Sequence, residues 1–404
     1  MAPTIVALLL LFSRRPDAVL NPQFWAEDGP VFYAPEFNDG ARAVFIPNGG
    51  YLHVAPRLVG LAAVQLPMLW APALFNAVAL IAQVLPVVLL ASSRFEALIP
   101  RYEDRLWLGF LYVAAPGGSE THATLTHMVR YLAITSCMVM IAGSARFMAW
   151  RVFDGAVILA CGISGPFTLL LLPTSLYAFW RRRSRDAAAY LIIVAGTAAI
   201  QAASLLIWSD QRDPVRLGAS ATNFVRIIGG QYILGGVIGT AGWKWLTLHS
   251  WMDVAAAAAF ALGIPVLARA FYRAQVEARM LYIFGATTLS AALLSPLADP
   301  YYQAWSVMWR PGSGSRYWLI GTLCLLLALV LGARERSPMR WPARALAILL
   351  PIGIVADWFR PAYEDLHYPA HVRRIVAALP NEEVDIPLNP PGWTMTLRKP
   401  HDQR

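Results

Sequence analysis

Residues 187–208 run for twenty-two positions without a charged side chain, directly after Arg181-Arg182-Arg183-Ser184-Arg185. A hydrocarbon core about 30 Å thick asks a helix for about 20 apolar residues, so this stretch reads as a membrane span. Runs of the same kind recur along the chain. They constrain the fold more than any other feature, because backbone in lipid must satisfy its hydrogen bonds internally. Composition agrees: 57% of residues are hydrophobic and 14% charged, with mean hydropathy +0.50. A soluble domain carries about a quarter charged residues. The expectation is an all-α, polytopic transmembrane helical bundle whose main partner is the lipid bilayer.

The arginine cluster at 181–185 is taken as cytoplasmic, since basic residues in short loops stay inside. Working outward from it gives eleven spans: 1–13, 72–92, 105–116, 130–145, 154–164, 167–180, 187–208, 251–271, 280–297, 317–332 and 343–357. The N-terminus is then inside and the C-terminus outside. A transmembrane domain covers 1–357, and a small extracytoplasmic tail covers 358–404. Residues 154–164 rise only about 16 Å as a helix. With Gly165-Pro166 between them and 167–180, the two runs read as short helices meeting at a kink inside protein. Segments 54–70 and 226–243 are assigned to the outer interface as amphipathic or re-entrant pieces. In the tail, "VDIPLNPPGWTMTLRKP" reads as two short strands around a Pro-Pro-Gly turn.

The net charge is +9, but only Lys244 and Lys399 are lysines and the rest are arginines, many set between apolar runs. That pattern fixes topology and meets anionic head groups; it does not indicate nucleic acid. Cys137, Cys161 and Cys324 lie in apolar stretches with no ligand spacing and no disulfide framework. The Ala/Arg/Pro-rich composition points to a multi-pass protein of a bacterial inner membrane.

Five polar stretches converge on the outer face in this topology. The first loop carries the acidic pair Glu27-Asp28 among Phe24, Trp25, Val31, Phe32 and Tyr33, with His53 and Arg57 further on. The second runs through Ser119-Glu120-Thr121-His122 to His127 and Arg130. The third, 209–226, holds Asp210, Arg212, Asp213, Arg216 and Arg226. The fourth is Arg310-Pro311-Gly312-Ser313-Gly314-Ser315-Arg316-Tyr317, and the fifth is the tail. Each has a structural reading as well: a solvated helix start for the acids, a snorkelling Arg316 beside a belt Tyr317, interfacial anchors for His53 and Arg57. Yet charge stranded at the interface is costly and points to function. The histidine spacings (122 and 127; 367 and 371 with Pro369 between) are poor for a metal site.

A first span followed at once by a loop with an acidic pair resembles the GT-C superfamily of membrane glycosyltransferases. The Ser-Glu-Thr-His stretch, the paired short helices around "GISGPFTLLLLP" and the "SRYW" start of a late span are similar to it too. The resemblance implies a transferase of cell-envelope glycan biosynthesis. Its donor is a polyprenyl-phosphate-linked sugar, and its acceptor an extracytoplasmic glycan, lipid or protein. It implies Asp28 as general base with Glu27 beside it. Arg316 leads the donor-phosphate ligands, followed by Arg57, Arg310, Tyr317 and Arg226. Glu120, His122, His53, Trp25 and His127 shape the acceptor and sugar pocket. Inverting transfer by direct displacement suffices for this chemistry. No metal ligands are assigned, though some members with acidic motifs bind a divalent cation. The rival class is a transporter or flippase of a lipid-linked sugar. It calls for ionisable residues at the midplane and repeated halves, neither of which the sequence displays.

Overall fold

The computed structural model describes residues 2–212, 214–297 and 301–400; Asp213 and His401 fall outside them. The chain is mostly helical, and five helices are long and apolar enough to cross a membrane. They are Met68–Ala91, Arg185–Ile207, Ala221–Thr247, Met252–Arg273 and Ser315–Arg334. A single antiparallel hairpin, Glu383–Leu388 with Trp393–Arg398, is the sheet among the described residues.

Two hydrophobic clusters organise the bundle. One surrounds the helix Leu125–Ile141 and takes in the first loop, the tail and the helices on either side. The other is built on Ala221–Thr247, Met252–Arg273 and Ser315–Arg334. The helix Val276–Leu294 packs against both halves.

Leu125–Ile141 is the axis of the first half. Every residue in it is buried except Thr126 and Arg130. These are four apart and therefore share one face. Its ends are held by opposite charges. The Asp28 carboxylate accepts from Leu125 N (3.2 Å) and Thr126 N (2.7 Å) at the start. At the far end Arg182 donates to the carbonyls of Met140, Ile141 and Ala142, and Arg94 to that of Gly143. Negative charge at a helix N-terminus and positive charge at its C-terminus match the macrodipole and satisfy end groups with no partner in the helix.

The expected kink is present. Met148–Gly162 and Phe167–Arg182 meet at Gly165, whose φ of 87° suits glycine. The freed groups are met by the strand-like run before Val54: Gly165 N bonds Leu52 O, Val54 N bonds Ile163 O, and Ala55 N bonds Ser164 Oγ. Gln201, from Arg185–Ile207, seals the joint through Leu52 and Gly162.

Two expected segments differ. Residues 226–243, assigned to the interface, lie inside a 27-residue apolar helix, largely buried. That helix carries a π-helical stretch, Arg226–Leu234, and a break at Gly239 (φ 78°). The bared N–H groups of Thr240 and Ala241 bond to Asp357. Charge logic alone kept this run out of the bundle; buried irregular backbone with its own carboxylate cap is what lets it in. Residues 343–357, assigned as one span, form two short helices, Arg340–Ala347 and Leu350–Ala356.

The tail is not a separate layer. Val384, Ile386, Leu388, Met395 and Leu397 belong to the same apolar cluster as Phe24, Phe32 and Phe75. Asn389 O accepts from Ala26 N (2.5 Å), and Asn38 bonds both Thr396 O and Arg398 N. Gly29 leaves the room that Leu388 and Met395 fill.

Candidate functional site

The acidic pair sits in a single 3₁₀ turn, Ala26–Asp28, pinned between the hairpin and the start of Leu125–Ile141. Its two carboxylates go opposite ways. Asp28, expected as the base, is fully buried, and its oxygens take Leu125 N, Thr126 N and Thr126 Oγ1 (2.5 Å). Burial pushes the Asp28 carboxyl up to about 7, against the pull of those hydrogen bonds and with a further push from neighbouring Glu27. Glu27 is partly exposed, and among the described residues its side chain makes no hydrogen bond or ion pair. It lies within electrostatic reach of His127 and Arg130.

Arg130 is the counterpart. It stacks its guanidinium over Phe167 at 5.7 Å and makes no hydrogen bond or ion pair among the described residues. Arg316, Glu120, Tyr317 and Glu27 all act on it electrostatically. Glu120 is the hub of the other side. It pairs with Arg316, accepts from Ser315 Oγ (3.2 Å) and Arg316 N (3.3 Å), and lies 3.6 Å from His127 Nε2. Burial pushes its carboxyl up, but the contact with His127 and the charges of Arg316 and Arg130 outweigh it. They hold Glu120 well below the usual carboxylate range. Tyr317 returns its hydroxyl to Leu297, bonding both N and O at 2.9 Å. His53 borders the cluster through Arg130 and through Gly165. Burial, then Arg57, lowers its pKa to about 4, so it is neutral.

Of the residues expected at one site, Glu27, Glu120, His127, Arg316 and Tyr317 come together, with His53 at the edge. Five do not join them. Arg57, expected on phosphate, is buried and paired with Glu36 at 2.8 Å with both side chains sealed from solvent. Glu36 supplies the counter-charge that a buried guanidinium requires. Arg226 is spent on Asp253 in a two-pronged pair (2.6 and 2.8 Å) against the second half of the bundle. Arg310 is exposed, and among the described residues its side chain makes no hydrogen bond or ion pair. His122, two residues from Glu120, faces away towards Arg15 and Gln83. Trp25 stacks on Tyr363 at 4.9 Å and steadies the loop without facing the charges.

Arg130 was given no role from sequence. The signal was there, as the one fixed charge inside an otherwise apolar helix. Among the described residues, no group of three or more His, Cys, Asp or Glu is placed to hold a metal ion. An apolar cavity of about 600 Å³ opens at the opposite end of Ser315–Arg334, among Leu108, Val266, Leu327 and Arg334; none of the expected site residues lines it.

These are the marks of a helical membrane protein with a charged cluster at one end of its bundle. Set against known proteins, the chain matches no family model, and no curated protein matches it in sequence.

Proposed function

We propose that the protein is a membrane glycosyltransferase of GT-C type. It moves a sugar from a polyprenyl-phosphate-linked donor to an acceptor hydroxyl on the extracytoplasmic side. One observation carries the reading: a carboxylate, Glu27, and a guanidinium, Arg130, neither with a hydrogen bond or ion pair among the described residues, share one cluster beside the buried helix Leu125–Ile141.

The roles follow from what each group has left to offer. Glu27 takes the acceptor hydroxyl proton as that oxygen attacks the anomeric carbon. The bond to phosphate breaks in the same step, and the polyprenyl phosphate leaves with its electron pair. Arg130 takes the developing charge through a planar fork that stays protonated. Arg316, already half-neutralised by Glu120, aligns the phosphate, and the neutral His53 lines the sugar side. Asp28 is a positioning residue: it fixes the turn that aims Glu27. A single displacement of this kind inverts the anomeric centre.

The reading puts the cluster outward and the arginines at 181–185 inward. It draws support from Arg316 and Arg334 standing at opposite ends of Ser315–Arg334.

The test is complementation. A deletion strain carrying the wild-type gene regains a glycan residue by mass spectrometry of surface material. Glu27→Gln at equal membrane abundance restores none. Full restoration by Glu27→Gln removes the proposal. Lipid translocation into vesicles with no transfer to any acceptor would replace it with a flippase.

A further inference from the structure

A second charged cluster lies behind the first, where residues 11–17, 113–122 and 357–363 meet. We propose that it is a buried phosphate-binding site, formed by Arg360, His122 and Gln83 around a small cavity, with Arg15 beside them. The inference is independent of the transferase reading.

The argument is one of unmet charge and unmet hydrogen bonds. Arg14 is consumed by carbonyls: those of Val113, Ala115, Asp357 and Trp358. Arg15 donates to His122 O (3.3 Å) and Tyr363 Oη (2.7 Å), and its Nε is buried with no acceptor. The Arg360 side chain makes no hydrogen bond or ion pair among the described residues, and its Nε is buried as well. Three guanidiniums thus adjoin, and arginine does not shed its proton in a protein. Asp357 is the carboxylate beside Arg14 and Arg360. It is already bound to Gly117 N, Thr240 N and Ala241 N. Asp17 spends an oxygen on Tyr363 N. Buried charge without compensation is strongly disfavoured, so an anion belongs here.

The remaining orphans say which anion. Gln83 Nε2 donates to Tyr131 Oη at 2.6 Å and approaches His122 Nδ1 at 3.5 Å. That leaves the His122 proton on Nε2, buried with no acceptor. Burial, then Arg360, Arg15 and Arg14, keeps the ring neutral. Gln83 Oε1 is the opposite case, an acceptor lacking a donor. Chloride and sulfate offer acceptors alone. Hydrogen phosphate offers oxygens to Arg15, Arg360 and His122 and one O–H to Gln83. The cavity is about 30 Å³ and is lined by Arg14, Gln83, Thr121, His122, Tyr131 and Arg360. One water requires ~10–15 Å³, so a compact anion fits and a sugar does not.

The phosphate could be free or the head of a lipid, and the test separates them. Thermal unfolding of the purified full-length protein in detergent is followed in sodium phosphate, and in sodium chloride or sulfate at equal ionic strength. Decyl phosphate and decanol are run in parallel. Phosphate alone is expected to raise the midpoint saturably, and equilibrium dialysis with radiolabelled phosphate to give one site per chain. A rise with decyl phosphate and none with inorganic phosphate assigns the site to a lipid head group. Arg360→Gln should weaken the response at least tenfold. If that variant does not fold, His122→Gln, which keeps a neutral side chain in place, reads the same loss. Equal responses to phosphate, chloride and sulfate overturn the proposal. So does a wild-type response in both variants, or no saturable response of the wild type to either inorganic or decyl phosphate.

Discussion

Arg130 shows how one position can carry a site. It occupies the one half-buried stripe of a helix whose other faces are closed, with Thr126 one turn before it. Thr126 holds Asp28, and Arg130 lies within electrostatic reach of Glu27. Arg130→Lys keeps the charge and loses the fork. A charge-assisted hydrogen bond is worth about 1.5–3 kcal/mol, so kcat/KM for the donor should fall roughly 10–100-fold, with acceptor KM unchanged. Steady-state kinetics in proteoliposomes checks it. Asp28 yields a pH signature. Its carboxyl titrates near ~4 unfolded and near about 7 folded. Between those values the folded state holds the proton and the unfolded state does not. Stability is therefore full at low pH, falls as pH rises through that window, and is level above it. Asp28→Asn should flatten this part of the unfolding midpoint against pH. A variant curve parallel to wild type would show that Asp28 does not titrate there. The acidic pair itself was legible from its aromatic flanks. Which acid faces outward was not, because that depends on hydrogen bonds to residues 97 and 98 positions away. Arg57 was misread for the same reason: its partner Glu36 stands 21 residues upstream, in no helical register with it.

At the scale of elements, charges at helix ends recur as fasteners. Arg94 binds Asp154 at 2.5 Å, Asp154 accepts from Tyr190 at 2.6 Å, and Arg94 also holds Gly143 O. This ties Leu125–Ile141 to Met148–Gly162 and Arg185–Ile207. Removing one partner of a buried pair leaves an uncompensated charge and costs about 3–5 kcal/mol. Asp154→Ala should lower the unfolding midpoint sharply, while Asp154→Ala with Arg94→Met should recover most of the loss. Equal destabilisation in the single and double variants would mean that the ion pair is not what fastens these helices. Such fasteners were invisible in sequence, where Arg94 reads as one more loop arginine. The long helices were not: 72–92, 187–208, 251–271 and 317–332 each fall on an observed helix to within a few residues, because length and apolarity are local properties. The broken ones needed tertiary partners. Gly239 is tolerated only because Asp357, from a distant segment, caps the restart.

For the molecule as a whole, the arrangement is two half-bundles with the tail folded back over the first loop. Gly60 records how close that loop lies to its neighbours, since a Cβ there would strike the carbonyl of Phe32. The hairpin contributes Leu388 and Met395, both buried against Gly29. Truncating each to alanine costs about 2–5 kcal/mol in a well-packed core. The double variant should keep its helix content by circular dichroism, while limited proteolysis within residues 25–33 accelerates roughly tenfold or more. Unchanged cleavage would mean that the loop stands without the hairpin. The strand-turn-strand pattern was readable in the tail. Its destination was not, because the apolar face it presents fits any greasy surface until Gly29 supplies the notch.

The backbone bond from Ala26 to Asn389, and the side-chain bond from Asn38 to Thr396 across 358 residues, also impose an order in time. The first loop leaves the ribosome well before the ledge on which it rests. A nascent chain stalled before residue 383 would already be threaded into the bilayer, with its acidic turn unbraced. On this architecture the acidic turn is braced only once the hairpin has been made.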